Sequence, residues 1–138
     1  MAGKRFTKNL SDYGYCFACG PKNPIGLHMK VSYVGDRAVS RLRLSREFEG
    51  WKDVVHGGIV ATILDEIMAY AVMQFVGKGV TTSLQVTYRA PLPVGEEVRA
   101  VGYVTERKSR GAVAKGEIRR ADDDRLIATG ENRFILIT

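Results

Sequence analysis

A chain of 138 residues is the size of one domain, able to bury about two-thirds of the surface that its unfolded form exposes. With 45% hydrophobic and 26% charged residues, the composition excludes disorder and fits one compact core. Twenty-one Lys and Arg against fifteen Asp and Glu leave a net charge of +6, so the surface favours nucleic acid, acidic lipid or a phosphorylated ligand.

The basic residues are scattered, and only Arg107, Lys108 and Arg110 form a local cluster, which speaks against a nucleic-acid module and for a small phosphorylated ligand. No charged leader precedes an apolar stretch, and no apolar run approaches the roughly 20 residues of a membrane span. The expectation is a cytoplasmic protein without a membrane partner, whose Cys16 and Cys19 are thiols.

Residues 1–26 carry Gly14, Gly20, Pro21, Asn23, Pro24 and Gly26 and read as an N-terminal arm, leaving 27–138 for the folded domain. Two strand-favouring runs, 27–34 and 37–44, flank Gly35 and Asp36, a hairpin connection in the less common Gly-Asp order. After Gly58 the period changes: Val60, Ile63, Leu64, Ile67, Ala71 and Phe75 mark one stripe of a helix that ends near Gly77 and Gly79. Its other faces are also mostly apolar, which predicts burial nearly all round. Beyond Gly79 the period becomes two, until Pro91 and Pro93 break the strand. Three more strands follow at about 96–106, 111–120 and 125–137, the last pair joined through Asp122, Asp123 and Asp124. One long helix among about six strands is satisfied by an α+β arrangement in which a curved antiparallel sheet wraps the helix, the hotdog fold.

Asp65 breaks an otherwise apolar stripe of Ala61, Met68, Val72 and Val76. A carboxylate among such neighbours costs several kcal/mol unless donors or a cation compensate it, so it reads as a functional acid at the edge of an apolar pocket. Glu66 lies 100° further round the helix, with Thr62, Ala69 and Met73, and reads as an ion-pairing or subunit-contact residue that can also border the ligand. Gly57 and Gly58 open the helix, where unbonded N–H groups and the positive dipole end suit an oxyanion. Asp65 lies about 10–12 Å along the axis from these glycines, too far for both to serve one carbonyl from one chain. The economical solution is a two-fold homodimer with antiparallel helices and two equivalent sites, which can associate further into a dimer of dimers.

The segment VVHGGIVATILDE, 54–66, resembles the signature of hotdog thioesterases of the phenylacetate-pathway and 4-hydroxybenzoyl-coenzyme A types, and VTTSLQVTYRAPLPVGEEVRA, 80–100, resembles the strand that follows the family's helix. The resemblance covers 27–138 and implies an acyl-coenzyme A thioesterase. In it Asp65 is nucleophile or general base, Gly57 or Gly58 polarises the carbonyl, and His56 shapes the helix entry or contacts the thioester. Relatives carry an Asn or Gln shortly before the His to position water; here 49–53 reads EGWKD, so that task passes to Thr81 or Ser83. Coenzyme A enters as part of the substrate, with no separate cofactor, and its phosphates would meet Arg107, Lys108 and Arg110 or Arg89. The arm's CFACGPKNPIGLHM, 16–29, is similar to an extension of some of these enzymes. Its two cysteines supply half of a four-ligand zinc site, so the expectation is no metal: the thiols help fold the arm, and zinc shared with His28 or a second subunit is the alternative.

Two further functions compete. A hotdog hydratase or dehydratase would use His56 and Asp65 for proton transfer on an enoyl thioester, and a non-catalytic acyl-coenzyme A-binding protein would keep the groove without turnover.

Overall fold

The computed structural model describes residues 10–137, so residues 1–9 of the expected arm lie outside it. In chain order the elements are β1 (Val31–Val34), β2 (Arg37–Arg43), a 3-10 turn (Arg46–Phe48), α1 (Gly57–Phe75), β3 (Gly79–Tyr88), β4 (Glu97–Arg107), β5 (Gly111–Arg120) and β6 (Leu126–Leu136). The strands form one sheet in the order β1-β2-β4-β5-β6-β3, and every pairing is antiparallel. The sheet holds α1 against one face, which is the hotdog arrangement.

The helix forms where the apolar period is 3.6 and stays because Val60, Ile63, Leu64, Ile67, Met68, Ala71 and Val72 are buried against the strands. It stops when Val76 and Gly77 both donate their N–H to the Val72 carbonyl, closing the last turn. The closeness of helix to sheet has its own cause in three glycines. Gly102, Gly116 and Gly130 are register partners across β4, β5 and β6. A Cβ on Gly102 would stand 2.6 Å from the Ile67 carbonyl oxygen, and Cβ atoms on Gly116 and Gly130 would stand 3.1 and 3.0 Å from Met68 side-chain carbons. The row is a trough in which the middle of α1 rests.

The strand expected over 27–34 begins only at Val31, because Leu27 and Met29 donate instead to the carbonyls of Phe17 and Ala18. The arm is thereby tied in, and Ala18 and Met29 are buried in the same core as α1. Gly35 takes φ +61° at the expected hairpin, so glycine in first place supplies the left-handed residue that the Gly-Asp order requires.

Two expectations are corrected. The helix is not buried all round: Ala61, Thr62, Asp65, Glu66 and Ala69 are half-buried and Met73 is exposed, since the sheet covers one side only. Moreover, Gly57–Phe75 is long and apolar enough to cross a membrane by length and composition, contrary to the reading that no such run exists. The core takes up 39% of that apolar window.

Candidate active site

The His-Gly-Gly segment becomes the helix entry. His56 is the N-cap residue, and the Gly58 N–H donates to its Nδ1 at 2.9 Å. The neutral ring therefore carries its proton on Nε2, as a donor to anything outside the helix. This bond occupies Gly58, whereas the Gly57 N–H meets no acceptor among the described residues. Of the two expected oxyanion donors, Gly57 is the one left free. The Tyr88 hydroxyl, at the end of β3, donates to the Gly57 carbonyl at 2.6 Å and so fixes the Gly57–Gly58 peptide, whose N–H is the one held by His56. A cavity of about 720 Å³ opens here, with Trp51, Val60 and Leu92 among its apolar walls and His56, Gly57, Tyr88 and Arg89 on its border.

Two turns along α1, Asp65 sits in a set of fixed donors. The Thr81 hydroxyl donates to Asp65 Oδ1 at 2.7 Å, and Asn132 Nδ2 donates both to the same oxygen and to Thr81 Oγ1, the latter at 3.2 Å. Charge-assisted bonds of this kind are worth about 1.5–3 kcal/mol each. They offset the cost of holding a carboxylate beside Leu64 and Met68, and they leave Oδ2 as the oxygen without a donor among the described residues. Thr81 reaches the acid beside a register shift of β3, between Thr81 and Ser83, which re-aims the side chains there. Of the two residues expected to position water, the structure thus brings Thr81 to Asp65. Ser83 is exposed, with Arg133 as its register partner, and takes no part in the cluster.

Asn132 was not anticipated from the sequence. It is fully buried on β6, and its Oδ1 meets no donor among the described residues. The signal was present in the period of two: Ala128, Gly130, Asn132 and Phe134 share the buried face, while Glu131 and Arg133 point outward. An amide on a core face needs partners, and Asp65 and Thr81 are those partners.

Glu66 points elsewhere. Cys16 Sγ donates to Glu66 Oε2 at 3.5 Å, and Cys16, Cys19 and Glu66 place their ligand atoms within 4.8 Å of one another. Burial first, and Glu66 second, push the Cys19 thiol well above its ordinary pKa, and burial does the same for the Tyr70 hydroxyl beside it. Within the chain, Glu66 meets the arm. Tyr70 and Met73 line this second cavity, of about 450 Å³, whereas Met68 and Val72 are core residues.

The basic candidates divide. Arg89 borders the cavity at the start of α1. Arg107, Lys108 and Arg110 are exposed at the β4–β5 turn, near Phe75 and so at the other end of the helix. Lys108 pairs with Glu106 at 3.4 Å, while Arg107 and Arg110 have no carboxylate partner among the described residues. Arg99 and Arg120, by contrast, pair with Asp124 and Glu96, each at 2.7 Å.

A wrapped helix with an apolar groove at its tip and an oriented carboxylate along it defines the class, a hotdog-fold thioester hydrolase. The chain belongs to the thioesterase superfamily, whose family model matches residues 52–127. It is 24% identical over 104 residues to acyl-coenzyme A thioesterase 13 of Mus musculus, spanning 74% of each chain. To acyl-coenzyme A thioesterase THEM4 of Xenopus laevis it is 30% identical over 131 residues, 94% of this chain and 55% of that protein. A crystallised thioesterase superfamily protein shares the fold with a TM-score of 0.84 at 24% identity, over 88% of this chain and 63% of the other.

Proposed function

We propose that the protein hydrolyses an acyl-coenzyme A thioester to the free acid and coenzyme A, at two equivalent sites built across a homodimer. The carrying observation is the Asp65 carboxylate, whose Oδ1 is held by Thr81 and Asn132. Oδ2 then either takes a proton from water as the oxygen of that water attacks the carbonyl, or attacks the carbonyl itself to give an anhydride that water cleaves. In both routes the C–S bond breaks, coenzyme A leaves as thiolate, and the proton removed from water returns to solvent. The negative charge that develops on the carbonyl oxygen is met by the Gly57 N–H of the second subunit, at the positive end of its helix, with His56 Nε2–H beside it.

Gly57 and Asp65 are eight residues apart, about 12 Å along α1, so one carbonyl cannot touch both in one chain. Antiparallel pairing of two helices brings one chain's acid level with the other's helix tip. The unpaired edge of β3 supports such an assembly, because a strand edge carries free backbone donors and acceptors and is suited to joining a second sheet. In that dimer the end of α1 lies roughly 15 Å beyond the partner's helix tip. Arg107, Lys108 and Arg110 would then receive the phosphates of coenzyme A, and Arg89 would stand closer to the thioester. The similarity to thioesterases named for acyl-coenzyme A supports the same substrate class.

The test is a panel of acyl-coenzyme A esters with release of free thiol as readout. Thiol released in step with free acid is the expected result; a 3-hydroxyacyl product from an enoyl ester without thiol, or binding without turnover, contradicts it. Single turnover in 18O-water separates the two routes: label appearing in Asp65 marks the nucleophilic one.

A further inference from the structure

The second cavity contains ligands of a kind that the hydrolytic site does not use. Glu66 is half-buried, has no basic partner among the described residues, and is approached by the Cys16 thiol. A carboxylate in that position is poorly compensated by a weak S–H donor. Cys19 stands in the same cluster, and all three ligand atoms fall within 4.8 Å of one another.

We propose that Cys16, Cys19 and Glu66 bind one zinc-type divalent ion that fastens the N-terminal arm to α1.

The arm is built to present the two sulfurs together. Gly20 donates its N–H to the Cys16 carbonyl at 2.7 Å, folding Cys16 to Cys19 into one tight turn. A Cβ on Gly20 would stand 2.4 Å from the Cys16 nitrogen and 2.5 Å from the Gly14 carbonyl oxygen, so only glycine permits this turn. Met29 and Ala18, bonded to each other and buried in the core, hold the turn against the helix that carries Glu66. Zinc binds thiolate sulfur at about 2.3 Å and carboxylate oxygen at about 2.0–2.2 Å, so tetrahedral ligands lie roughly 3.4–3.8 Å apart. Closing the three atoms from their present spacing requires shifts of about an ångström or less, within reach of side-chain rotation.

The chemistry selects the ion. Two sulfurs and one carboxylate suit zinc and its soft neighbours, whereas magnesium and calcium prefer oxygen alone. Binding releases one proton from each thiol, and the two thiolates and Glu66 then face the dication. The fourth position opens on the cavity of about 450 Å³, where water completes the tetrahedron. His28 is not a ligand, since its Nε2 lies 2.6 Å from the Asn23 carbonyl oxygen, away from the cluster. The helix thus supplies the ligand that the cysteine spacing alone does not reveal.

The experiment titrates the full-length protein, stripped with a chelator under reducing conditions, first with Co²⁺ and then with Zn²⁺. The expected result is one Co²⁺ per chain with a thiolate-to-cobalt charge-transfer band, displaced by one equivalent of Zn²⁺, and with both thiols protected from a thiol reagent. Cys16→Ser and Cys19→Ser should abolish the band, and Glu66→Gln should weaken binding at least about tenfold. Should a cysteine variant lose its far-ultraviolet circular dichroism, X-ray absorption of the zinc-loaded wild type decides, with two sulfurs and two lighter ligands expected. No stoichiometric binding by the reduced protein, a band that survives Cys19→Ser, or a zinc shell lacking two sulfurs would each overturn the proposal.

Discussion

Asp65 and Glu66 are neighbours in the chain and carry the same charged group, yet the fold gives them opposite surroundings. Asp65 faces β3 and β6, where Thr81 and Asn132 donate to one of its oxygens and leave the other free. Glu66, turned 100° round the helix, faces the arm and meets two thiols, of which Cys16 donates weakly. A carboxylate held by strong donors is oriented, with one oxygen turned to whatever enters the groove. One surrounded by sulfur and short of donors is suited to a metal ion. Reactivity is set by the partners that each face of α1 acquires.

The contrast is broken most severely by Asp65→Asn, which should lower kcat for thioester hydrolysis at least about a hundredfold while the fold is retained, as circular dichroism would check. Next in size is Thr81→Val, which removes the donor that aims the carboxylate through Oδ1; misplacing the acid should lower kcat roughly tenfold. Asn132→Leu should resemble it in turnover and also lower the melting temperature, because the isosteric change leaves Asp65 with one donor fewer. Glu66→Gln sharpens the comparison from the other side: its effect on the melting temperature of zinc-loaded protein should exceed its effect on kcat. The smallest change is expected from Arg107→Glu with Arg110→Glu, which should raise KM for an acyl-coenzyme A several-fold, with the difference from wild type shrinking as salt rises.

The sequence made the helix and its acid legible because both depend on local pattern. The 3.6 period of Val60, Ile63, Leu64 and Ile67 needs no tertiary knowledge, and Asp65 stands out against it. The glycine pair at the helix entry was equally visible, but which N–H stays free depends on the His56 ring, whose orientation no spacing encodes. Asn132 is 67 residues from Asp65, and their meeting is created by the packing of α1 against β6. Gly102, Gly116 and Gly130 likewise read as weak points in strands until register aligns them under α1. The pairing of Glu66 with the arm escaped for the same reason, since the period fixes a residue's face and not what that face will meet.

Whether two chains share one site is decided by mixing defects. A Cβ on Gly57 would meet nothing nearer than the Tyr88 hydroxyl oxygen at 3.5 Å, so that position has room for a larger side chain beside the N–H. Asp65→Asn and Gly57→Val chains, each inactive alone, should be co-expressed with different tags and the heterodimer isolated. A shared site should give the heterodimer about half of the wild-type activity per dimer, because one site then regains an intact acid from one chain and an intact helix tip from the other. A heterodimer as inactive as its parents would contradict it.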